Sequence, residues 1–524
     1  FDRPYATGVN TFDWDAAKFP APATMLQAVH DAGLRYAIWQ APYVAPASNQ
    51  DPAPDNNAFA TSHGFFPPVT GLLVNNWSKP IDFTNPEAYA WWKQNLEKYT
   101  LPLGGGGFGV EGFKLDYGED IVLGASGQRI PWRFADASDE RTMHYGYTML
   151  YHQVHRELLD AGGGFLLTRT GRWGDQVKGN TIWPGDLDAD LSRFGDKPAG
   201  ESKGVVGGLP TALAFGLGLS ASGFPFYASD TGGYRKSPPN NETWLRWVEA
   251  NAVWPAMQVG DSSSQMPWEF TAENGRTTAS LDTYRFYARL HLRLFPYVWT
   301  YAKQIAGTGR PIARPFNLAY PGLPRADDEY LLGDHLLVAP VITAGQTSRT
   351  VQFPPISDWY DWWTGEHVGL TTMAAAPLDT LPLYIRGGGI VPMLRDTIDT
   401  LAPTTSATVE SYANDPGILV VRTAPGADQP PLTLFDSTTI ETGANVRAIK
   451  FTPGSKFKQG VLFEVIAASV YGKPARVTDD TIGDLTERNS LTALRSASEG
   501  WFYDAAATNG TLWIKMPGAA SLHY

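Results

Sequence analysis

The sequence predicts an α/β fold, a parallel (β/α)8 barrel over residues 1–308 followed by two all-β regions, and three observations carry that reading. Short apolar runs alternate with amphipathic stretches of helical period, the pattern of strand-then-helix units in a parallel sheet. Two of the runs, Gly112-Phe113-Lys114-Leu115-Asp116, broken at Gly118, and Thr181-Ile182-Trp183-Pro184-Gly185-Asp186, turned by Pro184-Gly185, end in a carboxylate, as barrel strands do when they present an acid at the C-terminal mouth. Past Gly309-Arg310-Pro311 the period changes from helical to alternating.

In order along the chain, Met25, Ala28, Val29 and Ala32 share a helical face that Gly33 ends, and Tyr36 to Trp39 is a buried strand with Gln40 to Tyr43 at its rim. Residues 45–80 form a long Pro- and Asn-rich loop, read equally well as a site wall or a solvent excursion. Asn85-Pro86 opens the next helix with a cap and a first-turn proline, and Trp91, Trp92, Leu96 and Tyr99 mark its apolar face. Gly104 to Gly107 lacks a following Gly-Lys-Ser/Thr, so the run reads as a flexible linker rather than a phosphate loop. After the Asp116 strand, Ser138-Asp139-Glu140-Arg141 leads into a long helix that ends at Gly162 to Gly164. His152 and His155 on that helix have no third ligand at the spacing of a zinc motif and read as packed or solvated side chains.

Phe165 to Arg169 is the following strand, Gly207 to Ser220 a buried helix, Gly223 to Tyr227 a strand delivering Asp230, and Glu242 to Met257 an amphipathic helix. Ser280 to Ala306 is the strongest helical stretch. Counted this way the barrel has about six strands, short of the eight that closure requires. The alternating runs 336–339, 350–353, 382–385, 448–451, 461–465 and 511–515 are strands of the all-β regions.

Composition narrows the function. At 524 residues the chain exceeds one core and implies roughly two to four domains. A net charge of −12 disfavours nucleic acid, which needs clustered Lys and Arg, and no apolar run is long enough to span a membrane. The absence of cysteine removes disulfides, cysteine zinc sites and thiol nucleophiles, and leaves the compartment open, a secreted or periplasmic bacterial setting being favoured. The 18 Trp, 23 Tyr and 25 Phe supply many flat rings able to stack on sugars, although most aromatic side chains serve cores.

Two strand-end carboxylates are the equipment of a retaining glycosidase. One attacks the anomeric carbon while the other, about 5–5.5 Å away, protonates the leaving oxygen. Asp116 takes the first role and Asp186 the second, with Asp175, Asp188 and Asp190 competing for the second and a loop-capping role open for Asp188 and Asp230. Asp186 has to keep its proton near neutral pH, and flanking Trp183 and Leu187 would favour that by desolvation.

These residues resemble glycoside hydrolase family 31, the retaining α-glucosidases, α-xylosidases, α-galactosidases and sulfoquinovosidases. The resemblance rests on Lys114-x-Asp116-x-x-Glu119, on Arg169 with Gly174 and Gln176 leading to Trp183-x-Gly185-Asp186, and on Asp230-Thr231-Gly232-Gly233-Tyr234. It extends over roughly the first 400 residues, from Phe12-Asp13-Trp14-Asp15 to Asp328 through Asp334 and Val338-Ala339-Pro340-Val341. It implies a barrel at 1–308, a proximal β-sandwich at 309–400 and a distal one at 401–524, with the family's N-terminal β-sandwich and first barrel strand or strands expected to precede Phe1.

The resemblance further implies no metal or organic cofactor, a glycoside or oligosaccharide substrate, Asp116 as nucleophile and Asp186 as acid/base. Asp2, Trp39, Lys114, Arg169, Trp183, Asp230 and Gln258 are the implied substrate-binding set, Glu119 a supporting residue and Trp173 a further wall. For Arg169 the residues alone also allow an ion pair with Asp116 or Glu119. After Trp254-Pro255 the family's usual Arg-x-His is replaced by Gln258 and Gly260; the run Pro255-x-Met257-Gln258 is more like an α-galactosidase branch, and Phe113-Lys114-x-Asp116-x-Gly118-Glu119 resembles that branch or the α-xylosidases. An α-galactoside or α-xyloside is therefore favoured over an α-glucoside. A transglycosylase with the same carboxylates and a non-catalytic sugar-binding barrel are the alternatives.

Overall fold

The computed structural model describes residues 1–46, 55–75, 77–159, 163–179, 181–197, 203–260, 266–272, 275–355, 357–443 and 447–524. Contacts divide them into two units, one of residues 1–185 with 402–409, the other of 186–401 with 410–524.

The first unit holds a four-stranded parallel sheet whose strands, β1 (Ala37–Gln40), β2 (Gly112–Leu115), β3 (Phe165–Thr168) and β4 (Thr181–Ile182), lie side by side in chain order. Helix α1 (Pro22–Asp31) precedes β1, a short α2 (Asn56–Ser62) lies inside the long 45–80 loop, α3 (Pro86–Thr100) joins β1 to β2, and α4 (Glu140–Leu159) joins β2 to β3. Neighbouring parallel strands with helical crossovers are the half-turns of a (β/α) barrel. Asn85 caps α3 by accepting from the amides of Glu87 and Ala88, and Pro86 occupies the first turn where its missing N–H costs nothing. Trp92, Leu96 and Tyr99 of α3 are buried in one core with Phe113, Leu115, Tyr147, Tyr151 and Val154.

Three local expectations are revised. Gly104 to Gly107 is a tight turn closed by a bridge between Leu103 and Gly107, in which Gly104 and Gly106 each take φ +86° and a Cβ on Gly107 would stand 2.2 Å from the Leu101 carbonyl oxygen, so the glycines serve the turn rather than slack. No strand forms over 223–227, where Pro225 has no N–H for a ladder. Tyr227 is a lone bridge residue there, a parallel bridge joins Asp230 to Gln258, and the sheet has four strands among the described residues rather than six. The helix expected over 280–306 is two, broken at Leu294 before Pro296. Residues 47–54 of the long loop, and Gly162 at the expected end of α4, lie outside the described residues.

The second unit carries α5 (Leu209–Ala221), α6 (Asn241–Asn251), α7 (Thr278–Arg293) and α8 (Phe295–Thr308), then the β regions. One antiparallel sheet runs in the order 367–368, 359–361, 383–386, 336–338, 330–332, 313–315, beside a two-stranded ribbon of 348–352 and 371–375. Beyond them, a five-stranded sheet joins 390–393, 419–423, 461–465, 511–516 and 500–504, and a six-stranded sheet runs from 432–433 to 483–484. Buried Arg246 of α6 donates to the carbonyls of Gln346, Ala376 and Pro377 and pairs with Glu249 at 3.1 Å, fastening the helix to the first of these β regions.

The far segment 402–409 belongs to the first unit. The amides of Thr405 and Ser406 and the hydroxyl of Thr404 all donate to the carbonyl of Asp31, the last residue of α1. A helix end leaves such carbonyls without partners of its own.

None of the described helices is long and apolar enough to cross a membrane.

Candidate active site

Asp116 follows β2 directly, and its side chain is held at both oxygens. Nε1 of Trp39, on neighbouring β1, donates to Oδ2 at 3.0 Å, while a terminal nitrogen of Arg169, just past β3, donates to Oδ1 at 3.1 Å. The amide of Tyr117 adds a third bond to Oδ1 at 2.9 Å. The parallel register makes this possible, because β1, β2 and β3 end at one level and their next side chains share one rim. Tyr117 sits at φ +63°, an unusual backbone for a bulky residue, and the hydrogen bonds around it hold it there.

Arg169 joins two carboxylates. Its Nε meets Oε1 of Glu119 at 2.7 Å, and its guanidinium lies 5.1 Å from the centre of the Tyr117 ring. The ion-pair reading of Arg169 thus holds with both acids at once. Burial pushes the Glu119 pKa up, against the opposing pull of Arg169, and Oε2 of Glu119 is buried with no hydrogen-bond partner among the described residues. Gly185, after β4, is at φ +76°, and a Cβ there would stand 3.1 Å from Nε of Arg169.

Lys114 engages different partners, pairing with Oδ2 of Asp2 at 2.8 Å and lying 5.0 Å from the centre of the Trp183 ring. Burial works to raise the Asp2 pKa, but the charge and hydrogen bond of Lys114 outweigh it and hold the group below the usual range. Trp39, Asp116, Glu119 and Arg169 thus form one set of contacts at the end of β2, and Asp2, Lys114 and Trp183 a second that starts from the same strand. Trp39 and Trp183 are buried at 3% and 1% exposure, whereas Trp173 is 90% exposed and does not wall this enclosure.

Sequence reasoning missed the shell beneath. Tyr43 and Asn75 donate to Oδ2 of Asp120 at 2.6 and 3.1 Å, and the amide of Gly118 donates to its Oδ1, which pins the turn after Asp116. Trp77 packs edge-on against Trp39 and Tyr117 at 5.8 and 4.9 Å. The one signal for Trp77 was a lone tryptophan in a polar, proline-rich loop.

Of the carboxylates competing with Asp186, Asp175 is buried in an ionic cluster with His152 and with Lys178 at 2.8 Å. Burial alone would raise its pKa, but these two partners outweigh it and lower it. His152 and His155 are both packed, with no exposed surface. In the second unit, Asp188 is fully buried facing Arg235 and Lys236, and Asp190 accepts from Ser192. Asp186 is partly exposed and comes immediately after Gly185.

Asp230 and Gln258 meet within the second unit. Nε2 of Gln258 donates to Oδ1 of Asp230 at 2.6 Å beneath their backbone bridge. The hydroxyl of Thr231 donates to the Gln258 carbonyl, Asn251 donates to Thr231 and to the Ser229 carbonyl, and Trp247 donates to the Ser229 hydroxyl, so a buried polar network fixes the pair. No group of three or more His, Asp or Glu side chains able to hold a metal ion occurs among the described residues.

Comparison with known proteins places the chain in a family. An isomaltosyltransferase from Sporosarcina globispora is 27% identical across 97% of this chain and 45% of its own length. An α-xylosidase from Emericella nidulans is 28% identical across 73% of this chain and 46% of its own. The solved cycloalternan-forming enzyme of Listeria monocytogenes, in complex with a pentasaccharide substrate, superposes with a TM-score of 0.76 at 22% identity, over 96% of this chain and 46% of that one. The chain spans about half the length of the curated relatives it matches. Residues 1–301 match the glycosyl hydrolases family 31 TIM-barrel domain and residues 309–391 the glycosyl hydrolase family 31 C-terminal domain, and the chain belongs to glycosyl hydrolase family 31.

Proposed function

We propose that the chain is the catalytic portion of a retaining, exo-acting α-glycoside hydrolase, with Asp116 as the attacking carboxylate and Asp186 as the proton donor. The observation that carries this reading is the grip on Asp116, whose two oxygens accept from an indole, a guanidinium and a backbone amide. Such donors hold the carboxylate in one orientation, as attack on an anomeric carbon needs. The attack releases the leaving group, which takes its proton from Asp186. Asp186 then removes a proton from water, which displaces Asp116 and restores the starting configuration.

Asp230 and Gln258 are proposed to bind the reacting sugar. Gln258 brings a neutral amide where the family pattern has a charged Arg, and Gly260 brings no side chain where it has His. A site that pairs hydroxyls with fixed polar groups rejects sugars that leave those groups unmatched, so an α-galactoside or α-xyloside is proposed ahead of an α-glucoside. Transfer to a sugar rather than to water is the second reading, favoured by the similarity to an isomaltosyltransferase over nearly the whole chain.

The test is a panel of 4-nitrophenyl α-galactoside, α-xyloside and α-glucoside. Asp116→Ala is expected to lower kcat at least ~10³-fold on whichever is cleaved. Added azide should restore turnover by filling the vacated space, giving a glycosyl azide of inverted configuration. A parent protein inactive on all three, or an Asp116→Ala variant that retains its rate, would refute the assignment.

A further inference from the structure

We propose that Trp173 is a stacking platform for the sugar ring adjoining the reacting one, on the side of the leaving group and the acceptor. This rests on the retaining-glycosidase reading above. Trp173 is 90% exposed, and none of the described aromatic rings or cations packs against it. Single apolar side chains on a surface are ordinary, but a tryptophan left almost wholly in water on an anchored loop is not.

The loop is anchored on both sides of the ring. One residue before it, the guanidinium of Arg172 lies 5.0 Å from the centre of the Tyr145 ring of α4. One residue after it, the Gly174 amide donates to the side chain of Gln176 at 2.7 Å, and Asp175 is tied into the buried cluster with His152 and Lys178. The indole is thus presented by a backbone already fixed, and little freedom is lost when a ligand lands on it. Val177, 89% exposed, is another apolar side chain on the same loop.

Placement near the chemistry follows from the chain. The loop leaves from Arg169, which holds Asp116, and returns at Gly185, which packs on Arg169. Four residues reach about 14 Å at most, so Trp173 is confined to the surroundings of the nucleophile. Its openness then decides which ring it meets. An exo-acting enzyme encloses the terminal sugar, and any ring-binding surface outside that enclosure meets only the departing or the incoming saccharide. The C–H face of a pyranose matches an indole face without demanding one hydroxyl pattern, so the ligand class is a neutral α-linked oligosaccharide or acceptor disaccharide.

The experiment separates this subsite from the hydrolytic machinery. Trp173→Ala, Trp173→Phe and the parent are compared on an α-glycosyl fluoride of the preferred sugar, whose leaving group has no ring, and in transfer of that glycosyl group to added maltose. Hydrolysis of the fluoride is expected to stay within about twofold, while transfer to maltose falls about tenfold in Trp173→Ala and recovers in Trp173→Phe, the size of one aromatic stacking contact. In parallel, tryptophan fluorescence of Asp116→Asn is followed on addition of isomaltotriose, raffinose and maltose, with a quench expected that disappears when Trp173→Phe is added. This second readout stands even if Asp116 proves not to be the nucleophile. Equal losses on fluoride and maltose transfer, or a quench that survives Trp173→Phe, or no quench by any of the three sugars, would overturn the proposal.

Discussion

Arg169 is the side chain on which the rim of the sheet depends, since it binds Asp116 and Glu119 together and lies over the Tyr117 ring. Replacing it by Gln keeps hydrogen-bonding capacity but removes the cation that favours a charged carboxylate. The expected outcome is a fall of about 10²-fold in kcat/KM on the best aryl glycoside, measured beside an unchanged far-ultraviolet circular dichroism spectrum. At this scale the sequence was informative where a residue follows from strand position, as with Asp116 and Arg169, because a strand's end and its facing direction are local properties. It was less so for Lys114, whose partners Asp2 and Trp183 come from distant parts of the chain and carry no spacing signal.

The short strands position the site, and their ends are more constrained than their middles. Gly185 after β4 shows this, because its left-handed backbone disfavours a side chain and a Cβ there would press on Arg169. Gly185→Ala is expected to displace the guanidinium by a few tenths of an ångström and reduce kcat about tenfold while the far-ultraviolet circular dichroism stays unchanged. Unaltered turnover in that variant would mean that the arginine's position is not critical. The expectations that failed among the elements have two causes. Pro225 and Pro296 interrupt hydrogen-bond patterns that apolar periodicity alone extends through them, and Gly104 to Gly107 serve a turn and, at Gly107, a close backbone approach that composition does not reveal. The β regions were legible because alternation, as in 448–452, and short apolar runs, as in 461–465, are strong signals even without knowledge of the partner strands.

Across the whole molecule, acid is expected to be the weak condition. Burial pushes His155 in the first unit down to about 3 and His335 in the second down to about 4, from an ordinary 6.5. Each is folded neutral, so each contributes stability that is complete above pH 6.5 and is lost as pH falls toward its folded value, when the unfolded chain takes up the proton instead. Urea unfolding should therefore show a loss of a few kcal/mol per histidine between pH 7 and pH 4, lessened in His335→Gln relative to its own value at pH 7. A parent protein equally stable at both pH values would count against it. A last consequence concerns dissection. Because the end of α1 is closed by Thr404, Thr405 and Ser406, a clone cut after the barrel-matching residues would express an enzyme head with an unlatched helix. Chimeras that exchange the β regions between relatives would need to carry this eight-residue clasp with the head, or supply an equivalent, to keep it folded.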